Sequence, residues 1–201
     1  MNRLFGGLAL VCLMLCQSRA QVIEFESNGL KYQTLTKSGV TVMFAQLPVH
    51  VREYAIVQVA VSNGSGAPYV IRPEDFSWTR PDGTVLHASP AKTVVTMLSQ
   101  KGTGNDVIKL VTTYEASVYG NAHMRSTNGY EQRRQAALAM SSTKLRAAAT
   151  ASALAMVQTK LVPGESTDGA VFFSTVGKIL GPGHLVVRTN TDLFDFNNSS
   201  Y

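Results

Sequence analysis

Residues 54–62, YAIVQVAVS, decide the fold class of this chain. Ala55, Val57, Val59 and Val61 recur at every second position, and a period of two places all four on one face of a β-strand packed on a core. Asn63-Gly64-Ser65-Gly66 then ends the strand with residues that tolerate positive φ. Upstream, Val40, Val42 and Phe44 alternate with Thr41 and Met43 as far as Pro48, which predicts a second strand. Downstream, Tyr69 to Ile71, Phe76 to Thr79 and Val85 to His87 read as short strands, with Pro81-Asp82-Gly83 as a tight turn between the last two.

Three more strands are expected near the C-terminus, at Ala170 to Ser174, Leu185 to Arg188 and Leu193 to Phe196. Gly181-Pro182-Gly183 separates the first two. Short strands with glycine and proline punctuation at both ends of a chain predict an antiparallel β-sandwich.

The middle of the chain has another period. Ser89-Pro90 reads as an N-cap followed by proline at the first helical position, and Gly102 closes that helix. Val107, Val111, Tyr114 and Val118 follow helical spacing, although strand propensity is also high there. Asn128 with Glu131 resembles a capping box. It opens one long run, Tyr130 to Val157, that lacks proline and glycine and holds nine alanines between Ala136 and Ala155.

Alanine is the strongest helix former, and its small side chain admits close helix approach. Leu138, Leu145 and Met156 follow one stripe of this helix. Met140, Ala147, Leu154 and Leu161 keep a heptad spacing beside it, and Lys144 and Arg146 argue against a membrane span. The fold class expected is therefore mainly β with helical insertion (α+β), an immunoglobulin-like antiparallel sandwich interrupted at about residues 89–160.

The first twenty residues read as a secretory signal peptide cut before Gln21. Arg3 supplies the positive start, Leu4 to Leu15 the apolar run, and Ser18 and Ala20 the small residues before the cut. The apolar run is shorter than the roughly 20 residues that span a bilayer. Cys16 follows Leu15 and Cys12 follows Val11, whereas a lipid-anchoring cysteine follows a small residue. Both cysteines lie in this leader, so the cut chain would carry neither a disulfide nor a catalytic thiol.

Residues 21–201 then form a single domain, large enough to bury nearly 70% of its unfolded surface. Without Arg3 and Arg19, the 18 basic residues fall to 16 against 13 acidic ones. They are scattered apart from Arg133-Arg134, which argues against nucleic acid as a partner. A mild attraction to anionic envelope surfaces is the most this charge supports.

No motif for chemistry stands out. His50, His87, His123 and His184 form no pair at metal-binding spacing, although Glu53 and Asp82 lie near His50 and His87. Gly64-Ser65-Gly66 lacks the flanks of a nucleophile elbow. The close carboxylates, Glu74-Asp75 and Asp192 with Asp195, suit turns and solvated surface better than glycoside chemistry. The strongest candidate for ligand contact is Trp78. Phe76, Trp78 and Arg80 share a face if their strand continues, and with Tyr69 they would offer an aromatic patch to a glycan or a peptide. An aromatic filling the sandwich core is the competing reading. Asn63-Gly64-Ser65 and Asn198-Ser199-Ser200 match glycosylation acceptors, incidental in a bacterial-looking context.

Tyr54 to Asn63, followed by Pro68, Ile71 and Asp75-Phe76, resembles the central strand and next turn of telokin-like, immunoglobulin-like domains in bacterial exported proteins. Leu161-Val162-Pro163-Gly164-Glu165-Ser166, then Gly169 and Phe172-Phe173, is similar to the segment that enters a late strand there. Leu185-Val186-Val187 and Phe194-Asp195-Phe196 fit the last strands. The resemblance covers about half of the cut chain. It implies a fold and carries no catalytic residue.

The expectation that follows is a non-catalytic exported protein, periplasmic, envelope-associated or secreted, without cofactor or metal. It would act as an interaction or structural module, docking a protein partner or a second copy through Leu138, Leu145, Leu154 and Met156. The alternative is a ligand-binding module at Tyr69, Phe76, Trp78 and Arg80. An envelope hydrolase using His87 and His184 ranks last.

Overall fold

The computed structural model describes residues 21–119 and 128–197, so the expected leader lies outside the described residues. Among the described residues the protein is mainly β, with antiparallel sheets and four helices. Strands β1 (Ile23–Ser27), β2 (Leu30–Lys37), β3 (Val40–Val51) and β4 (Tyr54–Asn63) form a meander. Its first two turns, Asn28-Gly29 and Ser38-Gly39, place positive φ at both central residues, the backbone that a tight hairpin requires. Strand β3 runs past Pro48 to Val51, and its pairing with β4 shifts register between Gln46 and His50. Proline cannot donate to the ladder, and the irregularity accommodates it.

Strands β5 (Tyr69–Ile71), β6 (Phe76–Thr79) and β7 (Val85–His87) follow, then helices α1 (Ala91–Lys101), α2 (Gly104–Tyr119), α3 (Tyr130–Leu138) and α4 (Thr143–Leu154). The chain returns through β8 (Thr159–Leu161), β9 (Ser166–Ser174), β10 (His184–Arg188) and β11 (Leu193–Asp195). Strand β9 pairs with β4, giving a five-stranded sheet of order β1-β2-β3-β4-β9. Strands β11-β10-β6-β7 form a second sheet, and β5 pairs with β8.

The five-stranded sheet is the middle layer. Ala55, Val57, Val59 and Val61 of β4 pack with Val171 and Phe173 of β9 against Phe76, Trp78, Leu185 and Val187 of the second sheet. On the opposite face, Tyr54, Ile56, Ala170 and Phe172 meet Val94, Leu98, Leu110, Ala147, Ala151 and Leu154 of the helices. Side chains alternate across a strand, so a strand covered on both sides is apolar at both parities.

The Ala-rich run is two helices rather than one. The helical path breaks between Leu138 and Thr143; Ser142 takes an extended conformation as N-cap of α4, and Arg146 Nη2 donates to Met140 O at 2.8 Å. Serine competes for backbone hydrogen bonds, and two in succession reset the helix here. Helix α1 begins one residue later than expected, because the Ser89 N–H donates to Phe172 O at 2.7 Å and joins the sheet edge. Asn128 forms no box with Glu131. Its Oδ1 accepts the Tyr130 N–H at 2.9 Å, and Gly129, at φ 73°, is the N-cap.

Gly169 is where the chain after α4 crosses the sheet edge. The Met156 N–H donates to Ala170 O at 2.9 Å, and a Cβ on residue 169 would lie 2.5 Å from the Met156 Cα. Gly169→Ala therefore forces backbone apart. It is expected to cost about 1–3 kcal/mol, read by urea denaturation, and an unchanged midpoint would show that the crossing can open.

Candidate functional site

Leu35, Val40, Val42 and Phe44 line the inner face of the middle sheet beneath the second sheet. The same face turns polar toward β1. Gln33 lies opposite Phe44 in the ladder and opposite Glu24 of β1, and Lys31 lies opposite Glu26. Lys31, Gln33, Glu24 and Glu26 thus share one face, with Gln46 on the corresponding side of β3. Among the described residues the second sheet has four strands, one fewer than the sheet it covers. The uncovered area is a cleft of about 590 Å³, floored by the β1–β2 hairpin and walled by Phe44, Pro48, Trp78 and Gly183.

Packing sets the wall. Phe44 meets the Trp78 ring edge-on at 6.3 Å and the Phe196 ring edge-on at 4.9 Å. Gly183, at φ 147°, leaves room for the indole, since a Cβ there would collide with Trp78 Nε1 and Thr79 O. The Trp78 N–H has no acceptor among the described residues. A buried donor without an acceptor is costly, and this one belongs to a residue of the cleft wall. On the floor, Gln33 Nε2 donates to Glu24 Oε1, which fixes the amide across the hairpin.

This cleft is not the patch expected from the sequence. Tyr69, Phe76 and Trp78 are only 7%, 0% and 1% exposed. Strand β6 lies between β10 and β7, and the face shared by Phe76 and Trp78 points inward to the middle sheet. Tyr69 belongs to β5, where its hydroxyl meets Thr189 Oγ1 at 2.8 Å. Arg80, half-buried, lies beyond the end of β6.

The expected partner helix is corrected as well. Leu154 and Met156 are both 2% exposed, and Met156 lies beyond α4 in the core between the sheets. Leu138 packs against the helical core and Leu145 is exposed, so the four residues form no common face. The small side chains of α4 are used inside the fold: a Cβ on Gly102, at the end of α1, would lie 2.7 Å from that of Ala147.

Of the remaining candidates, His184, Asp192, Asp75 and Ser65 have structural partners. His184 Nε2 lies 3.3 Å from Asp195 Oδ1, and Asp192 accepts from the hydroxyls of Ser38 and Thr191. Asp75 Oδ2 accepts the Arg72 N–H at 2.8 Å, and burial raises its pKa above the ordinary value. Ser65 Oγ donates to Asn63 Oδ1 at 2.6 Å within the turn. His123 and Asn198-Ser199-Ser200 lie outside the described residues. No group of three or more His, Cys, Asp or Glu that could hold a metal occurs among the described residues. No helix among them is long and apolar enough to cross a membrane.

One polar cluster had no signal in the sequence. Asp168 of β9 is buried under the helices, where the Tyr114 hydroxyl donates to Oδ2 and Asn128 Nδ2 donates to Oδ1 at 3.1 Å. Asn128 Nδ2 also donates to Asp168 O at 2.8 Å, and the Tyr32 hydroxyl to Ser117 O at 2.7 Å. These bonds join α2 and the start of α3 to the sheet. Burial first, and the adjacent Asp168 charge second, push the Tyr114 phenol well above its ordinary pKa.

Comparison with protein-family models, with curated proteins and with solved structures finds no match to this chain.

The Asp168 cluster makes stability sensitive to alkali. An unfolded tyrosine releases its proton near pH 10, while folded Tyr114 keeps it. The folded state then binds more protons, and stability falls as pH rises above about 10. Tyr114→Phe removes this share of the decline and leaves Asp168 one donor fewer, costing about 1–3 kcal/mol at neutral pH. Denaturation of both proteins from pH 8 to 11 measures the two effects, and parallel curves would exclude Tyr114 as a source of the decline.

Proposed function

We propose that the protein is a non-catalytic exported binding module, periplasmic, envelope-associated or secreted, whose ligand surface is the cleft beside β1 and β2. One observation carries this reading. The inner face of the middle sheet changes from apolar to polar where the second sheet ends, and it encloses a volume of about 590 Å³ there. That size lies within the roughly 300–1,000 Å³ of small-molecule sites. Gln33, Gln46, Glu26 and Lys31 offer donors, acceptors and both signs of charge, while Phe44 and Trp78 give the cleft an apolar wall. Such a mixture suits the polar groups and apolar faces of a short glycan or a peptide.

The leader-like sequence of residues 1–20 supports export. Two antiparallel sheets facing each other across one core support a sandwich of immunoglobulin type, with the helices as an added outer layer. Docking through the Ala-rich helix is set aside, because the fold itself occupies most of that surface.

Trp78 is the only tryptophan, so its fluorescence reports on the cleft wall. Titration with glycan and peptide libraries is expected to give a saturable spectral shift for one class. Lys31→Ala and Gln33→Ala should each weaken that binding about threefold to tenfold, as expected for loss of one hydrogen bond, with an unchanged thermal midpoint. A flat spectrum across both libraries ends the reading.

A further inference from the structure

Strand β9 ends at Ser174, and the chain bends through Val176-Gly177-Lys178. Val176 and Gly177 both take left-handed backbone, at φ 56° and 81°. Two successive residues in left-handed backbone favour asparagine, aspartate or glycine at the first of them. The hairpins at Asn28-Gly29 and Ser38-Gly39 hold small or polar residues there. This turn holds a valine, a β-branched residue for which left-handed backbone is an outlier. The Thr175 hydroxyl donates to Lys178 O, and the Thr175 N–H donates to Glu53 O at 2.8 Å, which fixes the turn on the β3–β4 corner.

A strained residue is ordinarily held in place by packing. Val176 instead stands 88% exposed, and Ile179, two residues past the turn glycine, is 58% exposed. An asparagine at 176 would suit the turn better and would spare the protein an apolar tip. The valine thus gains nothing from the fold, which points to a contact outside it.

The surrounding charge indicates what that contact is. Lys178 is exposed between the two apolar side chains. The backbone at Gly177 lies against Arg52 O, and Arg52 Nη2 donates to Lys101 O at 2.6 Å, which brings the end of α1 to the same end of the molecule. Arg52 is neutralised by Asp106 at 2.8 Å. Among the described residues of this corner Glu53 is the exposed acid, and Lys101 at the end of α1 with Lys178 in the tip leaves a surplus of one positive charge. Exposed aliphatic side chains with a lysine between them suit a bilayer surface. The side chains enter the boundary between headgroups and acyl chains, and the ammonium groups remain at the phosphates. We propose that the tip from Val176 to Ile179 docks on an anionic lipid bilayer.

The test uses a reporter at the tip, so that binding through residues 4–15 of the full chain does not register. In Ile179→Trp, indole emission should be quenched by vesicles of equal parts phosphatidylglycerol and phosphatidylcholine with brominated acyl chains. Buried Trp78 in the parent protein should remain unquenched, and vesicles of brominated phosphatidylcholine alone should quench the variant weakly. Adding Val176→Asn should weaken the quenching titration about tenfold, the share expected from one buried valine. By itself, Val176→Asn should raise Tm by about 2–4 °C as the turn relaxes. Absent quenching in the anionic vesicles, equal quenching in phosphatidylcholine alone, or a fall in Tm for Val176→Asn would each overturn the proposal.

Discussion

Strand β4 is covered on both sides, and the rest of the architecture answers that requirement. Ala55, Val57, Val59 and Val61 exclude water from one face, while Tyr54 and Ile56 do so from the other. A sheet with two apolar faces needs two covering layers. The second sheet supplies one and the four helices the other. The helical segment is therefore part of the core rather than an appendage, since without it Ile56, Ala170 and Phe172 would face solvent. The cleft follows from the same geometry, because the four-stranded cover is narrower than the five-stranded sheet beneath it.

The helix-facing interface is not uniformly apolar. Asp168 occupies a position where a hydrophobic side chain would pack more simply, and the Tyr114 hydroxyl and the Asn128 amide satisfy it. A buried carboxylate tolerates few alternative arrangements of its donors. It fixes α2 and the start of α3 relative to β9, whereas the alanine contacts of α4 are less directional. Gln58, on the same face of β4, has no hydrogen-bond partner for its amide among the described residues. This layer consequently combines a specific polar anchor with close, small-residue helix packing.

Much of this was legible in the sequence. Period-two alternation identified β3 and β4, glycine and proline punctuation marked off the short strands of the second sheet, and proline with glycine bounded α1. Gly169 stands out in the sequence only for its place before a late strand, and it is a point of close backbone approach. Strands β1 and β2 were missed, although Asn28-Gly29 is a strong hairpin signal. Their faces mix charged and aromatic residues, because one side lines a cleft instead of a core. Strand β8 is too short to show a period. The break between α3 and α4 was hidden by high helix propensity on both sides of Ser141-Ser142. Trp78 drew attention for good reason, but alternation states which residues share a face and not which face is inward. The cleft's polar residues are spread over three strands, so no local motif could have joined them.

The order of strands in the middle sheet also fixes an order of events. Ser62 pairs with Ser166, so β4 and its outer neighbour are separated by about a hundred residues that include all four described helices. Loop closure over that distance is slow, and proteins dominated by such pairings fold slowly. A nascent chain can complete the meander from β1 to β4 by local turns alone, but the outer edge of β4 then lacks its partner. That edge is rich in valine and can template pairing with another chain. Until β9 arrives, the most apolar strand of the protein is also its most aggregation-prone.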